Sequence, residues 1–462
     1  MDYQRIIFNA SIWKVAALCI IAQISACSTI LPPLNQPLSG SSVVKKHKSA
    51  PLKEGNRSDD LTLILTFSGG GTRAAAFSYG VMKQLRDTPT NQVLGHGRML
   101  DEVDLISSVS GGSFTAAYYG LHGDGIFRTY EKHFLKRPLQ SQLLKYWLLS
   151  PSNWMKLVPS LYNRSDLVAD YYAANIFGNK TFADIRSDGP QIVINATDLG
   201  AGTAFSFTKD NFRWICSELD SFPVGRAVVA SSAVPVLFSP IALKNYAGGC
   251  EPLSYQNKQL SPALLRVDNQ ALGIRKYKDR NRYHYLHLVD GGVVDNLGIR
   301  SLLHLVSEQG NNFWSLMNAY GISKTKKLAF IVVNASDDIS RNIALTRDEP
   351  DTATTLGAVT TIQSNRYNND TLDLLESRFK VWRKQVIQGR CGKTHTAGCD
   401  DIKFYMAELN FNQLPADLFE NLSHVETSLE LDSYQVDKLI DAGGMLLQKA
   451  PEFQRLLKDL RH

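Results

Sequence analysis

One stretch of the chain, Val103 to Tyr119, strongly limits the folds that this sequence can adopt. A short run of residues with high β propensity ends at Ser110, two glycines follow, and a small, aromatic-rich segment with helical spacing comes next. This order predicts a strand, a sharp turn and a helix. Gly111 and Gly112 let the backbone turn tightly, so we expect the Ser110 hydroxyl at the tip of the turn, beside backbone N–H groups. The stretch therefore predicts an α/β protein in which this serine is a nucleophile.

Other serines fit the nucleophile turn less well than Ser110. The usual nucleophile turn reads G-x-S-x-G, and Ser108 stands where the first glycine would be. Ser78 lies in the similar pattern A-F-S-Y-G, but inside a helical run with no strand before it. Ser108 and Ser113 lack a glycine two residues later. Ser110 is therefore the best candidate, although an ordinary strand-to-helix turn has the same short pattern.

A second stretch has the same layout of strand, glycines and helix. The apolar run Leu61 to Phe67 is typical of a buried strand in a mostly parallel sheet, and Ala74 to Leu85 has the composition of a helix. Gly69, Gly70 and Gly71 lie between them, so their backbone N–H groups can face an anion. The loop lacks the lysine and the spacing of a nucleotide-binding loop. This favours the oxyanion of an acyl-transfer reaction over a phosphate, with a plain tight turn as the alternative.

Four motifs, in this order, resemble those of the patatin-like phospholipase family. The family's glycine loop D-G-G-G-x-R-G corresponds to Ser68–Ala74, and its serine turn corresponds to Ser108–Gly112. Its signature R-A-x-x-A-S-x-A-x-P-x-x-F corresponds to Arg226–Phe238, and its acid motif D-G-[GA] corresponds to Asp290–Gly292. The resemblance covers about Leu61 to Leu303. It departs from the family pattern at Ser68, Ala74 and Ser108, which are small residues in turns, and we expect Ser108, which is small and uncharged, to be tolerated.

The resemblance implies a fold and a set of site residues. The expected fold is α/β: a patatin-like three-layer sandwich in which helices flank a mostly parallel central sheet, with helical and loop insertions. The expected catalytic pair is Ser110 and Asp290, and the expected oxyanion hole is formed by Gly69 to Gly71 together with Arg73. A structural ion pair is the alternative for Arg73.

A histidine base is the alternative to a Ser–Asp pair. His287 lies three residues before Asp290, and an odd separation along a strand puts two side chains on opposite faces. We therefore expect His287 to be buried or to face the sheet, and not to orient Asp290. His284 and His304 remain open. An aspartate has a reference pKa of ~3.9, so a base at this position requires burial to raise the pKa.

These residues lead to two hypotheses of different class. The first is a serine lipid acyl hydrolase of the phospholipase A or lysophospholipase type, acting on membrane phospholipid or related acyl esters by hydrolysis or acyl transfer. The second is a lipoprotein that keeps the fold but binds lipid or a partner without turnover. The intact Ser110, Asp290, Arg73 and glycines favour the first. No cofactor or metal is required, and protein partners are unknown.

The N-terminus resembles a bacterial lipoprotein signal. Arg5 and Lys14 precede a short apolar run, Val15 to Ala22, which is shorter than the ~20 residues that span a bilayer. The following I-S-A-C resembles a lipobox, in which Cys27 would carry lipid, and Ser28 resembles the sorting pattern of outer-membrane lipoproteins. We expect a signal peptide at 1–26, a flexible membrane tether at 27–58 and a catalytic domain at 59–462. The core motifs of this domain lie at 61–303, the role of 304–462 is open, and the expected location is the cell envelope, facing the periplasm or the surface.

Four cysteines remain after Cys19 and Cys27. Cys216, Cys250, Cys391 and Cys399 can pair in three ways in an exported chain, and the close pair Cys391/Cys399 is favoured as one bridge. Its spacing is poor for zinc. A net charge of +6 over 462 residues is too mild to indicate nucleic acid. The basic run Arg275 to Tyr283 indicates a solvated loop, with lipid head-group contact as the alternative.

Overall fold

The strands of the protein form one mixed sheet. The computed structural model describes residues 35–38, 51–53, 57–90, 97–148, 162–235, 237–250, 269–336, 343–344, 347–392, 398–423 and 425–461. The strands are β1 Leu61–Phe67, β2 Val103–Val109, β3 Gln191–Asp198, β4 Thr203–Ser206, β5 Ile241–Lys244, β6 Tyr285–Asp290, β7 Lys327–Asn334 and β8 Lys403–Asn410. Their order across the sheet is β5-β6-β3-β2-β1-β7-β8, and β4 pairs with β3.

Most of the strand pairs are parallel. β1 pairs in parallel with β2 and β7, β2 with β3, and β7 with β8. β6 runs antiparallel to β3 and β5, and β4 runs antiparallel to β3. The carboxyl ends of the parallel strands therefore meet at one edge of the sheet, where ligand sites of open α/β sheets usually lie.

Helices follow the strands and cover the sheet. The helices are α1 Gly71–Asp87, α2 Gly111–His122, α3 Ile126–Tyr130, α4 Leu139–Leu148, α5 Arg164–Asn175, α6 Lys209–Trp214, α7 Val224–Ser232, α8 Asn269–Lys278, α9 Gly292–Asp295, α10 Arg300–Glu308, α11 Phe313–Ala319, α12 Thr352–Cys391, α13 Ala416–Leu422, α14 Ser433–Lys449 and α15 Pro451–Asp459. No helix among the residues described here is both long and apolar enough to pass through a bilayer.

The apolar core has two parts, one on each face of the sheet. Leu63, Leu65 and Phe67 of β1 belong to one cluster, which also contains side chains of α1, α2, α7 and α14. Ile64 points to the other face and belongs to a second cluster with side chains of α11 and α12. This alternation is what a strand buried on both faces requires. The prediction of a mostly parallel central sheet flanked by helices is therefore confirmed.

The basic run 275–283 differs from the predicted loop, because it begins inside helix α8. Helix α12 is 40 residues long and begins at Thr352. Its early turns carry mostly small and polar residues, so no apolar stripe indicates a helix there.

The segment 27–58, expected to be a flexible tether, lies against the domain at the parts that are described. The side chain of Asn35 donates hydrogen bonds to the Ser217 hydroxyl and the Lys244 carbonyl, at 2.8 and 2.9 Å. Leu52 is buried, and its N–H bonds to the Tyr320 carbonyl at 2.9 Å. The expectation of a continuous free tether is thus wrong for these parts, because their contacts lie far along the chain. The predicted signal segment 1–26 and Cys27 fall outside the described residues.

Candidate active site

Ser110 occupies a strained turn between β2 and α2. Its φ of 48° and ψ of −120° are unusual for a residue with a side chain. A Cβ atom at Gly111 would lie 2.0 Å from the Gly71 carbonyl oxygen, and one at Gly112 would lie 2.8 Å from that of Ser68. Glycine is therefore required at both positions, because the serine turn packs directly against the glycine loop. This is the strand–turn–helix arrangement that the sequence predicted.

The Ser110 hydroxyl donates a hydrogen bond to the Asp290 carboxylate, and the Oγ–Oδ2 distance is 2.7 Å. The two residues are 180 positions apart, and the sheet brings them together: Val109 pairs with Asn195, and Asp290 pairs with the next residue, Ala196. The other carboxylate oxygen accepts the N–H of Gly292 at 2.8 Å. Both side chains lie at the carboxyl edge of the parallel strands.

Burial determines the acidity of Asp290. Only 8% of the residue is exposed, and this burial raises the pKa of its carboxyl to about 6, although the hydrogen bonds from Ser110 and Gly292 lower it. The carboxylate is still mostly ionised at neutral pH, and it is more basic than an exposed aspartate. It is therefore suited to accept a proton from the serine.

The three glycines of the loop have different roles in the structure. The N–H of Gly69 is shared between the backbone and side-chain oxygens of Asn296, at 3.2 and 3.1 Å. Gly70 and Gly71 have positive φ angles of 136° and 59°, and within the described part of the chain no protein acceptor is found for their N–H groups. These two N–H groups, at the start of α1, are the ones available to an oxyanion. Gly69 supports the loop and does not offer its N–H.

Arg73 braces the glycine loop. Its side chain is 1% exposed and donates hydrogen bonds to the carbonyl oxygens of Ala335 and Val425 and to the Thr427 hydroxyl. The N–H of Thr72 bonds to the Ser428 carbonyl at 2.8 Å. The guanidinium therefore fixes α1 to the end of β7 and to the segment 425–430. The acceptors of these three hydrogen bonds are carbonyl and hydroxyl oxygens, and the structural ion pair expected as the alternative for Arg73 stays a prediction.

A largely apolar cavity opens beside the serine. It has a volume of about 400 Å³ and contains Ser110 and Gly71 in its wall. Side chains from α2, α4, α5 and the loop before β5 supply its apolar surface, including Phe114, Leu143, Leu167, Val168, Leu237 and Phe238. Small-molecule sites have this size and this mixture of an apolar lining with few polar groups. An extended acyl chain fits such a lining.

A family model described as patatin-like phospholipase matches residues 65–303, a little over half of the chain. The chain belongs to the patatin-like phospholipase family. No curated protein matches it. The fold, the family and the apolar lining together support a lipid-hydrolysing esterase.

Solved structures that are similar to this chain include a human phospholipase and a bacterial effector protein. Human GIVD cytosolic phospholipase A2 is 12% identical with a TM-score of 0.43, and the alignment covers 87% of this chain and 62% of that one. The type III effector protein ExoU of Pseudomonas aeruginosa is 13% identical with a TM-score of 0.22, covering 89% of this chain and 98% of that one. The chain thus spans about 62% of the length of the human protein.

The family signature on α7 connects the serine turn, β3 and the acid motif. The Ser231 hydroxyl accepts the N–H of Ser110 at 2.8 Å and donates to the Asn195 carbonyl at 2.6 Å. The carbonyl of Ser231 accepts the N–H of Gly291 at 3.1 Å, next to Asp290. Ser231 thus touches the serine turn, β3 and the acid motif. The sequence shows this motif but no role for Ser231, because most of its hydrogen-bond partners are backbone groups that are distant along the chain.

The departure from the family pattern at Ser108 is accommodated. This residue is buried on β2, and its hydroxyl donates a hydrogen bond to the Val193 carbonyl on β3 at 3.0 Å. Ser68 is also buried, and its hydroxyl accepts the N–H of Ala335 at 2.8 Å. A buried hydroxyl with a partner costs little, so neither serine disturbs the turn it belongs to.

The histidines near the acid motif in the sequence do not contact the Ser110–Asp290 pair. His287 is exposed on β6 and His284 is exposed just before it, so the expectation of a buried or sheet-facing His287 is wrong. His304 is buried in α10 and lies 3.2 Å from the Glu308 carboxylate. Within the described residues, the hydrogen bonds of the Ser110 hydroxyl and the Asp290 carboxylate involve no histidine.

The four cysteines that follow the N-terminal region form two disulfides. Cys391 is bonded to Cys399, the pair that the sequence favoured, and Cys216 is bonded to Cys250. The first bridge closes the loop after α12, and the second lies beside the docked segment 35–38, where the N–H of Leu38 bonds to the Cys216 carbonyl. Among the side chains that the structure describes, no group of three or more His, Cys, Asp or Glu could hold a metal ion.

Proposed function

We propose that the protein is a serine acyl hydrolase that cleaves phospholipids or related acyl esters with a Ser110–Asp290 dyad. One observation carries the proposal: the 2.7 Å hydrogen bond from Ser110 to a buried carboxylate, in the wall of an apolar cavity. A nucleophile, a base and an acyl-sized lining are the three parts that ester cleavage requires. Membership of the patatin-like phospholipase family supports a lipid substrate.

The first half of the reaction forms an acyl-enzyme. Asp290 accepts the hydroxyl proton as Ser110 Oγ attacks the ester carbonyl carbon, and the carbonyl electron pair moves onto the oxygen. The N–H groups of Gly70 and Gly71 donate to this oxyanion. The tetrahedral intermediate then collapses, the bond to the leaving alcohol breaks, and the alcohol takes the proton from Asp290.

The second half releases the fatty acid. A water molecule enters, Asp290 takes its proton, and the hydroxide oxygen attacks the acyl carbonyl. Ser110 leaves with the proton, so the dyad returns to its starting state. An alcohol in place of water gives acyl transfer by the same steps, and both outcomes are compatible with the site.

Two features of the site lower the activation barrier of the proposed reaction. The raised pKa of Asp290, about 6, makes the carboxylate a better proton acceptor than an exposed aspartate. Each preorganised donor to the oxyanion contributes about 2.7–4 kcal/mol in enzymes of this kind. The glycine loop requires no movement to offer Gly70 and Gly71, because Asn296, Arg73 and the segment 425–430 hold it in place.

We further propose that the chain is anchored to a bacterial cell envelope, at the outer membrane, through lipid on Cys27. The I-S-A-C sequence and Ser28 support this, as does the short apolar run before them. Two acyl groups attached to one cysteine suffice for stable anchoring. The test is metabolic labelling with a fatty-acid analogue, in which Cys27→Ala is expected to abolish incorporation.

Release of fatty acid from mixed bacterial phospholipids tests the catalytic proposal. The full chain is expected to release fatty acid, and folded Ser110→Ala and Asp290→Asn are expected to lose at least about 1,000-fold in rate. Ser78→Ala is the matched control. Ser78 fits the serine motif almost as well, is buried, and has a hydroxyl with no hydrogen-bond partner among the described residues, so its loss leaves activity unchanged.

Each outcome has a distinct meaning. Activity that survives in Asp290→Asn would contradict the dyad and require another base. Absence of release by the folded chain, together with no labelling by a fluorophosphonate probe, would favour the alternative of a lipid- or partner-binding lipoprotein that keeps the patatin fold.

A further inference from the structure

Exposed apolar side chains are concentrated around the candidate site. Seven large apolar side chains that are exposed in the described part of the chain lie near or beyond the carboxyl edge of the parallel strands: Leu144, Leu199, Leu237, Tyr285, Val293, Val359 and Ile362. Leu144 and Leu237 flank the cavity beside Ser110 and are 51% and 62% exposed. Val293 is exposed three residues after Asp290. Exposed apolar side chains that gather on one side of a protein often mark a contact with another protein or a membrane.

The first turns of α12 extend this surface. The Ser364 hydroxyl bonds to the Gly292 carbonyl, and Asn368 bonds to Ser336 just after β7, so this part of α12 lies at the same edge. Residues 352–363 precede that contact, and at ~1.5 Å per residue they project about 18 Å beyond it. The side chains described on this stretch are mostly exposed. Val359 and Ile362 are exposed on this projection.

The other end of the same edge is basic. The last residue pair between β3 and β6 is Asp198 with Leu288. Lys244 on β5 pairs with Tyr285, which lies three residues away from Leu288 on β6, so both residues project about 10 Å beyond the end of β3. Tyr285 and Leu199 are exposed there. Helix α8 and the turn that follows add exposed cations, and the acid among them is Asp279. These cations are Arg275, Lys278, Arg280 and Arg282.

We propose that this surface binds an anionic phospholipid bilayer and presents the Ser110 cavity to it. We define the docking face as Leu144, Leu237, Val293, the projecting turns 352–363 of α12, and the basic segment 275–282. Isolated aliphatic side chains can enter the acyl region, while cations contact anionic head groups. The inference rests on the proposed function in one respect, because lipid substrate is the reason for the cavity to face a bilayer.

The docked N-terminal segment supports this orientation. Asn35 is held against the Lys244 carbonyl, at the basic end of the docking face. Cys27 precedes Asn35 by eight residues, a span of at most about 28 Å when fully extended. An acyl group on Cys27 would therefore enter a membrane close to this end. A second copy of the chain is the other occupant that an apolar surface could accept, and the test below separates the two.

A polarity-sensitive fluorophore at a single cysteine reports whether this face meets lipid. The full chain carries Ser110→Ala, so that vesicles stay intact, with Cys19→Ala and Cys27→Ala, so that neither residue reacts and the Cys27 acyl anchor is absent. The label is placed at Val359→Cys on the docking face or, as the matched control, at Val381→Cys. These two valines are on the same helix and are 47% and 44% exposed.

With vesicles of phosphatidylglycerol and phosphatidylethanolamine, we expect the label at position 359 to shift to the blue and brighten, and the label at 381 to stay unchanged. Equal responses at both positions, or none, would overturn the proposal. A blue shift at position 359 without vesicles, together with a dimer in analytical ultracentrifugation, would show that a second copy covers the face and would also overturn it.

Charge reversal tests the basic end. Each basic residue near an anionic surface strengthens binding by about five-fold, so Arg275→Glu/Lys278→Glu/Arg280→Glu is expected to weaken vesicle binding by about 100-fold or more. Lys380→Glu/Arg383→Glu/Lys384→Glu changes the charge equally on the later turns of α12 and is expected to bind as the parent does. Equal loss in both triples would refute the docking face. Because Ser110→Ala protein is inactive under the proposed mechanism, these results are independent of fatty-acid release, which tests the function.

Discussion

A buried ion pair connects the segment before the predicted domain to β2, the strand that ends at the Ser110 turn. The Nε of Arg57 lies 3.2 Å from a carboxylate oxygen of Asp104 on β2, and the two side chains are 6% and 0% exposed. The other carboxylate oxygen accepts the N–H of Leu63 on β1 at 2.9 Å. Lys53, also largely buried, lies near the same carboxylate. We therefore expect Arg57→Met to destabilise the whole domain.

The magnitude follows from the burial of Asp104. Removal of one member of a buried ion pair typically costs 3–5 kcal/mol, because a charge stays buried without compensation. Burial already raises the pKa of Asp104 to about 6, so protonation can relieve part of the loss, and the remaining cation on Lys53 relieves more. We expect a loss of about 2–4 kcal/mol in the free energy of unfolding at pH 8, and less than about 1 kcal/mol at pH 5.

The sign of the pH dependence is fixed by linkage. The folded-state pKa of Asp104 lies above its unfolded value, so the native state binds more protons and stability falls as pH rises from about 4 to about 6. Arg57→Met raises the folded-state pKa further, so its stability continues to fall above pH 6. The difference between parent and variant therefore grows toward alkaline pH, by up to about 1.4 kcal/mol per unit.

Urea denaturation of the full chain, followed by circular dichroism at pH 5 and pH 8, measures both quantities. Arg186→Met is the matched control, because Arg186 pairs with Asp188 at 2.6 Å on the exposed surface, where such pairs contribute about 0–1 kcal/mol. If Arg57→Met were no less stable than the control at pH 8, or if its loss were equal at the two pH values, the argument from the buried pair would be refuted. Arg57→Met/Asp104→Asn is expected to recover part of the loss.

Three further predictions concern activity. Hydrolysis of a soluble ester is expected to rise about ten-fold from pH 5 to pH 7, since Asp290, with a pKa of about 6, must be ionised to accept a proton, and a profile that is flat down to pH 5 would contradict this role. Gly71→Ala is expected to lose about 100-fold or more in kcat, because its Cβ would lie 2.4 Å from the Ser428 carbonyl oxygen, whereas Gly202→Ala, equally at positive φ but with open space around it, should keep full activity. Ser231→Ala is expected to lower kcat by about 10-fold with KM unchanged, because the N–H of the nucleophile loses its acceptor, and an unchanged kcat would contradict this positioning role.

The parts of the fold that sequence predicted depend on short-range patterns. β1 and β2 are observed at the predicted bounds, because continuous apolar runs that end in glycine or serine turns have few other solutions. Ser110 follows from the same pattern. Asp290 required the family resemblance, since nothing near it in the sequence shows that β6 pairs with β3 beside the serine turn.

The parts that sequence did not predict depend on contacts that are distant along the chain. Lys and Pro in 27–58 indicated a free tether, but Asn35 and Arg57 have partners 182 and 47 positions away, which are Ser217 and Asp104. Composition describes the segment alone and cannot show that its cation faces a buried carboxylate. An exported domain that starts at residue 59 would lack this cation.

The role of the C-terminal third was open in the sequence for a similar reason. This part of the chain supplies backbone carbonyl oxygens as hydrogen-bond acceptors. Because every residue has a backbone carbonyl, no sequence motif indicates which ones are used. Yet the carbonyls of Val425 and Ser428 accept N–H groups of Arg73 and Thr72, directly after the glycine loop. The N–H of Gly69 also has acceptors. The N–H groups of Gly70 and Gly71 are therefore the ones in the loop that are available to an oxyanion. Preorganised donors reduce the barrier because they do not have to reorient during the reaction. The C-terminal third is thus part of the proposed catalytic apparatus even though it contributes no side chain to the dyad.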